Sequence, residues 1–154
     1  MAEIRSVAVG IDGSDQSELA FDWAVSLAKL ASSSLTLVGV VSVHRAYPSQ
    51  PRSPVEAPVE ERRHLSELLS RFAARARSSG VGPVESLLLE GVAVDALLNF
   101  LDDRKPDLMV LGARGLSASR RLLLGSVSDG IVHHAHGSIL VVRPRRPDGP
   151  LASG

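Results

Sequence analysis

Between residues 111 and 128 the chain reads LGARGLSASRRLLLGSVS, with glycines at 112, 115 and 125 and a serine at 126. The run DLMVLG leads into this stretch as a strand, and VSDGIVHHA leads out of it as a helix. The connection therefore has the form G-x2-G-x9-G-S. Gly112 and Gly115 lack a Cβ and would let backbone amides approach a ligand closely. Gly125 and Ser126 open a helix, whose unpaired N–H groups and positive dipole end attract anions. Together these residues describe a backbone cradle for phosphates. On the glycines alone, a flexible connection with Ser126 as an ordinary helix cap fits equally well. The stretch is neither a Walker loop, since G-x4-G-K-[ST] is absent and no lysine lies nearby, nor a G-x-G-x-x-G turn.

A second candidate is Asp12, in VGIDGS at the end of the first apolar run. Asp-Gly is a common turn pair. In an open parallel sheet, however, ligands bind beyond the carboxyl ends of the strands, where strand order reverses. Asp12 follows strand one and the glycine loop follows strand four, so the two face each other if those strands are neighbours. Asp107 opens strand four at the opposite edge and reads as structural. Arg114, Arg120 and Arg121 flank the loop and suit either a triphosphate or plain solvent. His133, His134 and His136 sit at a helix end, which favours histidine, and no carboxylate completes a ligand set, so no metal site is assigned. Ser14, Ser17, Ser117 and Ser119 have no base placed beside them by the sequence, and a Ser-His-Asp triad is not supported.

The elements that must position these residues follow from periodicity. Residues 4–11 form a buried strand. A helix follows, started by Ser14 or by Asp15 with Glu18, with Leu19, Ala20, Trp23, Ala24, Leu27, Ala28 and Ala31 as its apolar stripe. Residues 35–43, LTLVGVVSV, form strand two. Residues 44–58 carry four prolines and no period, and read as a surface loop. A long helix from Val59 to Ser79 buries Leu65, Leu68, Leu69, Phe72, Ala73 and Ala76, with Glu67 and Arg71 paired on its outer face. PVESLLLEG is strand three, and residues 92–104 are a helix carried by Val94, Leu97, Leu98 and Leu101. Residues 107–112 and 138–144 are strands four and five. Apolar strands alternating with amphipathic helices imply an α/β fold: a single open parallel sheet with helices on both faces. Residues 1–144 form one domain in this reading, and 145–154 a disordered tail.

Composition narrows the function. The 154 residues hold 17 basic and 17 acidic side chains and no cysteine. A formal net charge of zero argues against coating nucleic acid or a membrane surface. Without cysteine there is no disulfide or thiolate metal site. No apolar run reaches the roughly 18 residues of a membrane span, and MAEIRSVAVG lacks a signal-peptide layout, so a cytoplasmic location is expected.

The stretches VAVGIDGSDQSELAFDWAVSLA, LTLVGVV and DLMVLGARGLSASRRLLLGSVSDGIVHHAHGSILVVR, with the ungapped G-x2-G-x9-G-S spacing, resemble the ATP-binding branch of the universal stress proteins. The resemblance covers nearly the whole chain. It implies a five-stranded sheet in the order 3-2-1-4-5, with strands one and four adjacent. It also implies residue roles: Asp12 near ribose and adenine, the backbone of Val40 on the adenine edge, and Gly112 and Gly115 on ribose and phosphate. Gly125, Ser126 and the backbone of Val127 would complete the phosphate cradle. The family often has a proline just before strand five, where this chain has Ser138. The implied ligand is ATP, with or without Mg²⁺, and the implied role a stress-response regulator or sensor that works through nucleotide occupancy. Pairing through strand five (Ile139, Leu140, Val141, Val142) into a homodimer is implied as well, and an uncharged edge strand invites it. The competing reading is a slow ATPase or phosphotransfer enzyme, which needs a positioned base and metal ligands where Asp12 is the only acidic candidate. AMP or cyclic AMP in the same crevice differs from ATP in ligand only.

Overall fold

The computed structural model describes residues 1–43, 59–115 and 124–145. The loop expected at 44–58, Ser117, Ser119, Arg120, Arg121 and the tail from 146 lie outside the described residues. The elements run β1 (Ser6–Gly10), α1 (Asp15–Ala31), β2 (Ser34–Ser42), α2 (Val59–Ser78), β3 (Val84–Gly91), α3 (Ala93–Arg104), β4 (Leu108–Gly112), α4 (Ser126–His134) and β5 (Ile139–Val142). All pairings are parallel, and the sheet order is β3-β2-β1-β4-β5, as expected. Strand five is shorter than the 138–144 run suggested.

Two apolar layers sandwich the sheet. On one face α1 and α2 pack over Val7, Val9, Leu35, Leu37, Val41 and Val110. On the other, α3 and α4 cover Ala8, Val38, Met109 and Leu111. The α2 stripe is buried as expected, from Leu65 to Ala76. The α1 stripe is rotated from the expected one. Its buried residues are Ser17, Ala20, Phe21, Ala24, Val25 and Ala28, while Trp23 is 49% exposed. Alanines at 20, 24 and 28 bring the helix close to the sheet, and Phe21 beside them turns toward α2 instead. It meets Phe72 edge-on at 4.6 Å, an aromatic pair of about 1 kcal/mol. Arg75 lies over both rings and reaches Glu18 at 2.9 Å. Tertiary partners, which periodicity does not see, thus chose the stripe. The same holds for α3, where Phe100 joins Leu97 and Leu101 in the core and Val94 and Leu98 are only partly buried. Glu67 pairs with Arg63, not Arg71, at 2.9 Å. Arg63 also reaches Glu60, so one guanidinium collects two carboxylates on its own helix face.

Asp107 has the structural role expected of it. Its Oδ2 accepts from the backbone N–H of Arg5 (2.8 Å), the backbone N–H of Ser6 (2.9 Å) and the Ser6 hydroxyl (3.0 Å). These bonds pin the start of β1 to the start of β4, and the Arg5 and Ser6 donors hold the carboxyl below its ordinary pKa.

Candidate functional site

β1 is five residues long and lies between strands that continue past its end. Its pairing with β2 reaches Gly10↔Val38, followed by the Ile11 N–H donating to the Val38 carbonyl at 2.8 Å. Its pairing with β4 stops at Val9↔Val110. In a parallel ladder successive residues turn their N–H and C=O to opposite neighbours. In β2 the even residues face β1, since Ser34 donates to Arg5. The odd residues face β3, since Leu35 donates to Pro83 and Val43 to Gly91. Val40 therefore points its N–H and C=O toward β1 at a level where β1 has already left the sheet. In β4 the odd residues face β5, with Met109 donating to Ser138 and Ala113 to Val142. Gly112 consequently turns its own peptide into the same gap. The departure of one short strand exposes backbone from both of its neighbours.

The chain leaving β1 forms the floor of this gap. The Oδ1 of Asp12 accepts from the Ser14 N–H at 2.9 Å and the Ser14 hydroxyl at 2.6 Å. Ser14 in turn caps α1 by accepting from the Ser17 N–H at 3.1 Å. The N-cap is thus Ser14, and Asp12 orients it. A Cβ built on Gly115 would fall onto the Oδ2 of Asp12, so the carboxylate and the glycine loop are in contact across the crevice.

The glycines have different physical reasons. A Cβ on Gly112 would come within 2.8 Å of the Gln16 backbone, so this glycine admits the close approach of α1. Gln16 also accepts the Arg114 N–H through its Oε1 at 2.9 Å. Gly125 is packed on the 113–115 backbone, with Arg114 Cα at 3.3 Å from its would-be Cβ, and its N–H donates to the Ala113 carbonyl at 2.6 Å. The amide of Gly125 is therefore used by the protein. The Ser128 hydroxyl, buried, donates to the same Ala113 carbonyl at 2.6 Å, a contact that no motif or spacing signals. Gly125 is the N-cap of α4 and makes no side-chain cap, so the first-turn amides of Ser126 and Val127 receive none.

All seven expected residues, Asp12, Val40, Gly112, Gly115, Gly125, Ser126 and Val127, line one cavity of about 450 Å³ at the carboxyl ends of the strands. Two other elements contribute to it. Glu61 and His64 enter from the first turns of α2, and Ala93 and Leu97 from the start of α3. Arg114 lines it as well, while Arg120 and Arg121 lie outside the described residues. The carboxyl-terminal histidines do not take part. The Nδ1 atoms of His133 and His134 lie 2.8 and 2.9 Å from the carbonyls of Asp129 and Gly130. Among the described residues no three His, Cys, Asp or Glu side chains form a group that could hold a metal ion. No described helix is long and apolar enough to cross a membrane.

Known proteins share this architecture. A curated protein of Staphylococcus aureus (strain USA300) that carries the universal stress protein name is 33% identical over 144 residues, 93% of this chain and 86% of that one. The structure of universal stress protein UspA from Lactobacillus plantarum superposes with a TM-score of 0.81 at 24% identity, over 93% of this chain and all of that one. A universal stress protein solved in complex with cAMP superposes with a TM-score of 0.71 at 27% identity, covering 92% of this chain and 99% of that one. The model of the universal stress protein family matches residues 3–143. With the family model spanning both sides of the crevice, this chain belongs to the universal stress protein family.

Proposed function

We propose that this protein binds ATP in the gap left by β1 and acts in the cytoplasm as a stress-response regulator whose conformation or partners follow nucleotide occupancy. One observation carries the reading: the N–H and C=O of Val40 face the gap side by side. Adenine presents the complementary pair on one edge, an acceptor ring nitrogen beside a donor amino group. At the other end, the uncapped start of α4 offers amides and a positive dipole end for phosphates. Asp12, between them, suits ribose hydroxyls as an acceptor. Mg²⁺, where present, would arrive with the phosphates. Occupancy can regulate only through a difference in affinity between two states, and the contact of Asp12 with Gly115 across the crevice is an element a ligand would bias.

The test is calorimetry with the purified full chain and its Gly115→Val variant. The parent is expected to bind ATP at micromolar levels. The variant, whose branched side chain displaces Asp12 and fills the crevice, is expected to lose binding while keeping its helical circular dichroism. A variant that binds ATP as tightly as the parent overturns the assignment. Because a relative was solved with cAMP, titrating AMP and cAMP alongside ATP ranks the ligands of the same crevice.

The open edge of the sheet supports a homodimer. Among the described residues β5 pairs with β4 alone, and Ile139, Leu140, Val141 and Val142 carry no charge to blunt its outer side. Antiparallel pairing of two copies about a two-fold axis would cover it. Light scattering should give twice the chain mass for the parent and one chain mass for Val141→Pro, and a monomeric parent at tens of micromolar overturns the pairing.

A further inference from the structure

The first turns of α2 are held over the cavity by two contacts. Arg62 forms an ion pair with Glu90 at the end of β3. Leu65 packs on β2 at Gly39, where a Cβ would come within 3.0 Å of it. Glu61, Leu65 and Leu68 follow at i, i+4 and i+7, so Glu61 lies in line with the buried stripe and, like His64, is exposed. Both line the cavity. The other charged side chains of these turns are engaged elsewhere: Arg62 with Glu90, and Arg63 with Glu60 and Glu67. Glu61 and His64 make no hydrogen bond or ion pair among the described residues, although each is a strong hydrogen-bonding group. The neighbouring charges Glu60, Arg62 and Arg63 are thus paired, and one carboxylate and one imidazole line the cavity.

We infer that Glu61 and His64 form the wall that reads the nucleobase, a specificity device added to the backbone of Val40. An amino group on the base has two hydrogens. The Val40 carbonyl can accept one, and a carboxylate oxygen of Glu61 takes the other. His64 supplies a flat ring against which the base stacks. The carboxylate also fixes the direction of the ligand. It repels phosphates from the α2 end and leaves them to the start of α4, so a nucleotide enters in one orientation. The class of ligand selected is a purine nucleotide with an exocyclic amino donor at the strand-edge position.

The inference rests on the nucleotide reading above, and the experiment separates the two. Calorimetry on the full-length parent, Glu61→Ala, His64→Ala and His64→Phe would use three probes: ATP, purine riboside 5′-triphosphate and inorganic tripolyphosphate. The second probe lacks only the amino group. Glu61→Ala is expected to weaken ATP about tenfold, the scale of one hydrogen bond to a charged group, while purine riboside triphosphate stays within about twofold. His64→Ala is expected to weaken both nucleotides and leave tripolyphosphate unchanged, and His64→Phe to restore them. If removing the Glu61 charge tightens ATP, or changes both nucleotides equally, the carboxylate acts only through its bulk field and the inference fails. If His64→Ala binds both nucleotides like the parent, the stacking wall fails. A parent that binds no ATP overturns the nucleotide reading and this one with it. A parent that binds ATP beside variants that match it overturns this one alone.

Discussion

Asp12 and Asp107 lie at opposite ends of the same strand pair, β1 and β4, and are used in opposite ways. At the amino edge the strands begin together, and backbone donors of Arg5 and Ser6 converge on the Oδ2 of Asp107. That carboxylate closes the sheet. At the carboxyl edge the strands diverge, so the donors around Asp12 come from the turn it starts, through Ser14, while its Oδ2 lies against Gly115. The same side chain in the same sheet is structural where the strands meet and, in the proposed reading, faces the ligand where they part. The peptides of Val40 and Gly112 follow the same rule, since each is left facing a gap only because β1 stops first.

If this contrast is right, removing each carboxylate should damage a different property. The largest effect is expected for Asp12→Ala. Loss of an acceptor at the proposed ribose position should weaken ATP by about ten- to a hundredfold. The thermal midpoint should move little, since Ser14 still caps α1. Equal losses of affinity and stability in this variant would show that Asp12 is a turn residue only.

A smaller effect is expected for Ser14→Ala, which sharpens the role of Asp12 without touching it. The helix loses a cap worth about 1 kcal/mol. The Oδ1 of Asp12 loses the hydroxyl donor but keeps the Ser14 N–H. ATP affinity should therefore fall by less than in Asp12→Ala, while the urea midpoint falls by more. Reversal of that order would place the stabilising role on Asp12 and the binding role on Ser14.

Much of this was legible before any coordinates. The strands are apolar on both faces, which implies a parallel sheet, and the switch-point rule pairs Asp12 with the glycine loop. Order 3-2-1-4-5 and the role proposed for Val40 rest on family resemblance, because no side chain advertises a backbone N–H and C=O. What stayed hidden depends on third partners. Phe21 replaced Trp23 in the core because Phe72 and Arg75 lie across from it. Glu61 and His64 look like any solvated pair on a helix until Leu65 seats on Gly39 and brings them to the cavity. Gly112 reads as a ligand glycine, yet the Gln16 backbone also requires it.

The smallest effect lies at the closed end and is visible only in acid. Asp107 is held below its ordinary pKa chiefly by the Arg5 N–H, then by the hydroxyl and N–H of Ser6. The unfolded chain, lacking these donors, binds the proton at higher pH. Its contribution to stability is therefore complete above the ordinary aspartate value and is lost as pH falls through the lowered folded value. Asp107→Asn keeps an acceptor oxygen in the same place but cannot titrate. At pH 7 the variant should bind ATP as the parent does and unfold in slightly less urea. Between pH 5 and pH 2.5 the parent's urea midpoint should fall more steeply than the variant's, and the two curves should converge at the acid end. Parallel curves would mean that the bonds to Arg5 and Ser6 do not outlast solvent competition, and that the closed edge is held by the strand ladder without its carboxylate. A change in ATP affinity at pH 7 would be the more serious result, because it would couple the two ends of β1 and β4 that this fold keeps apart.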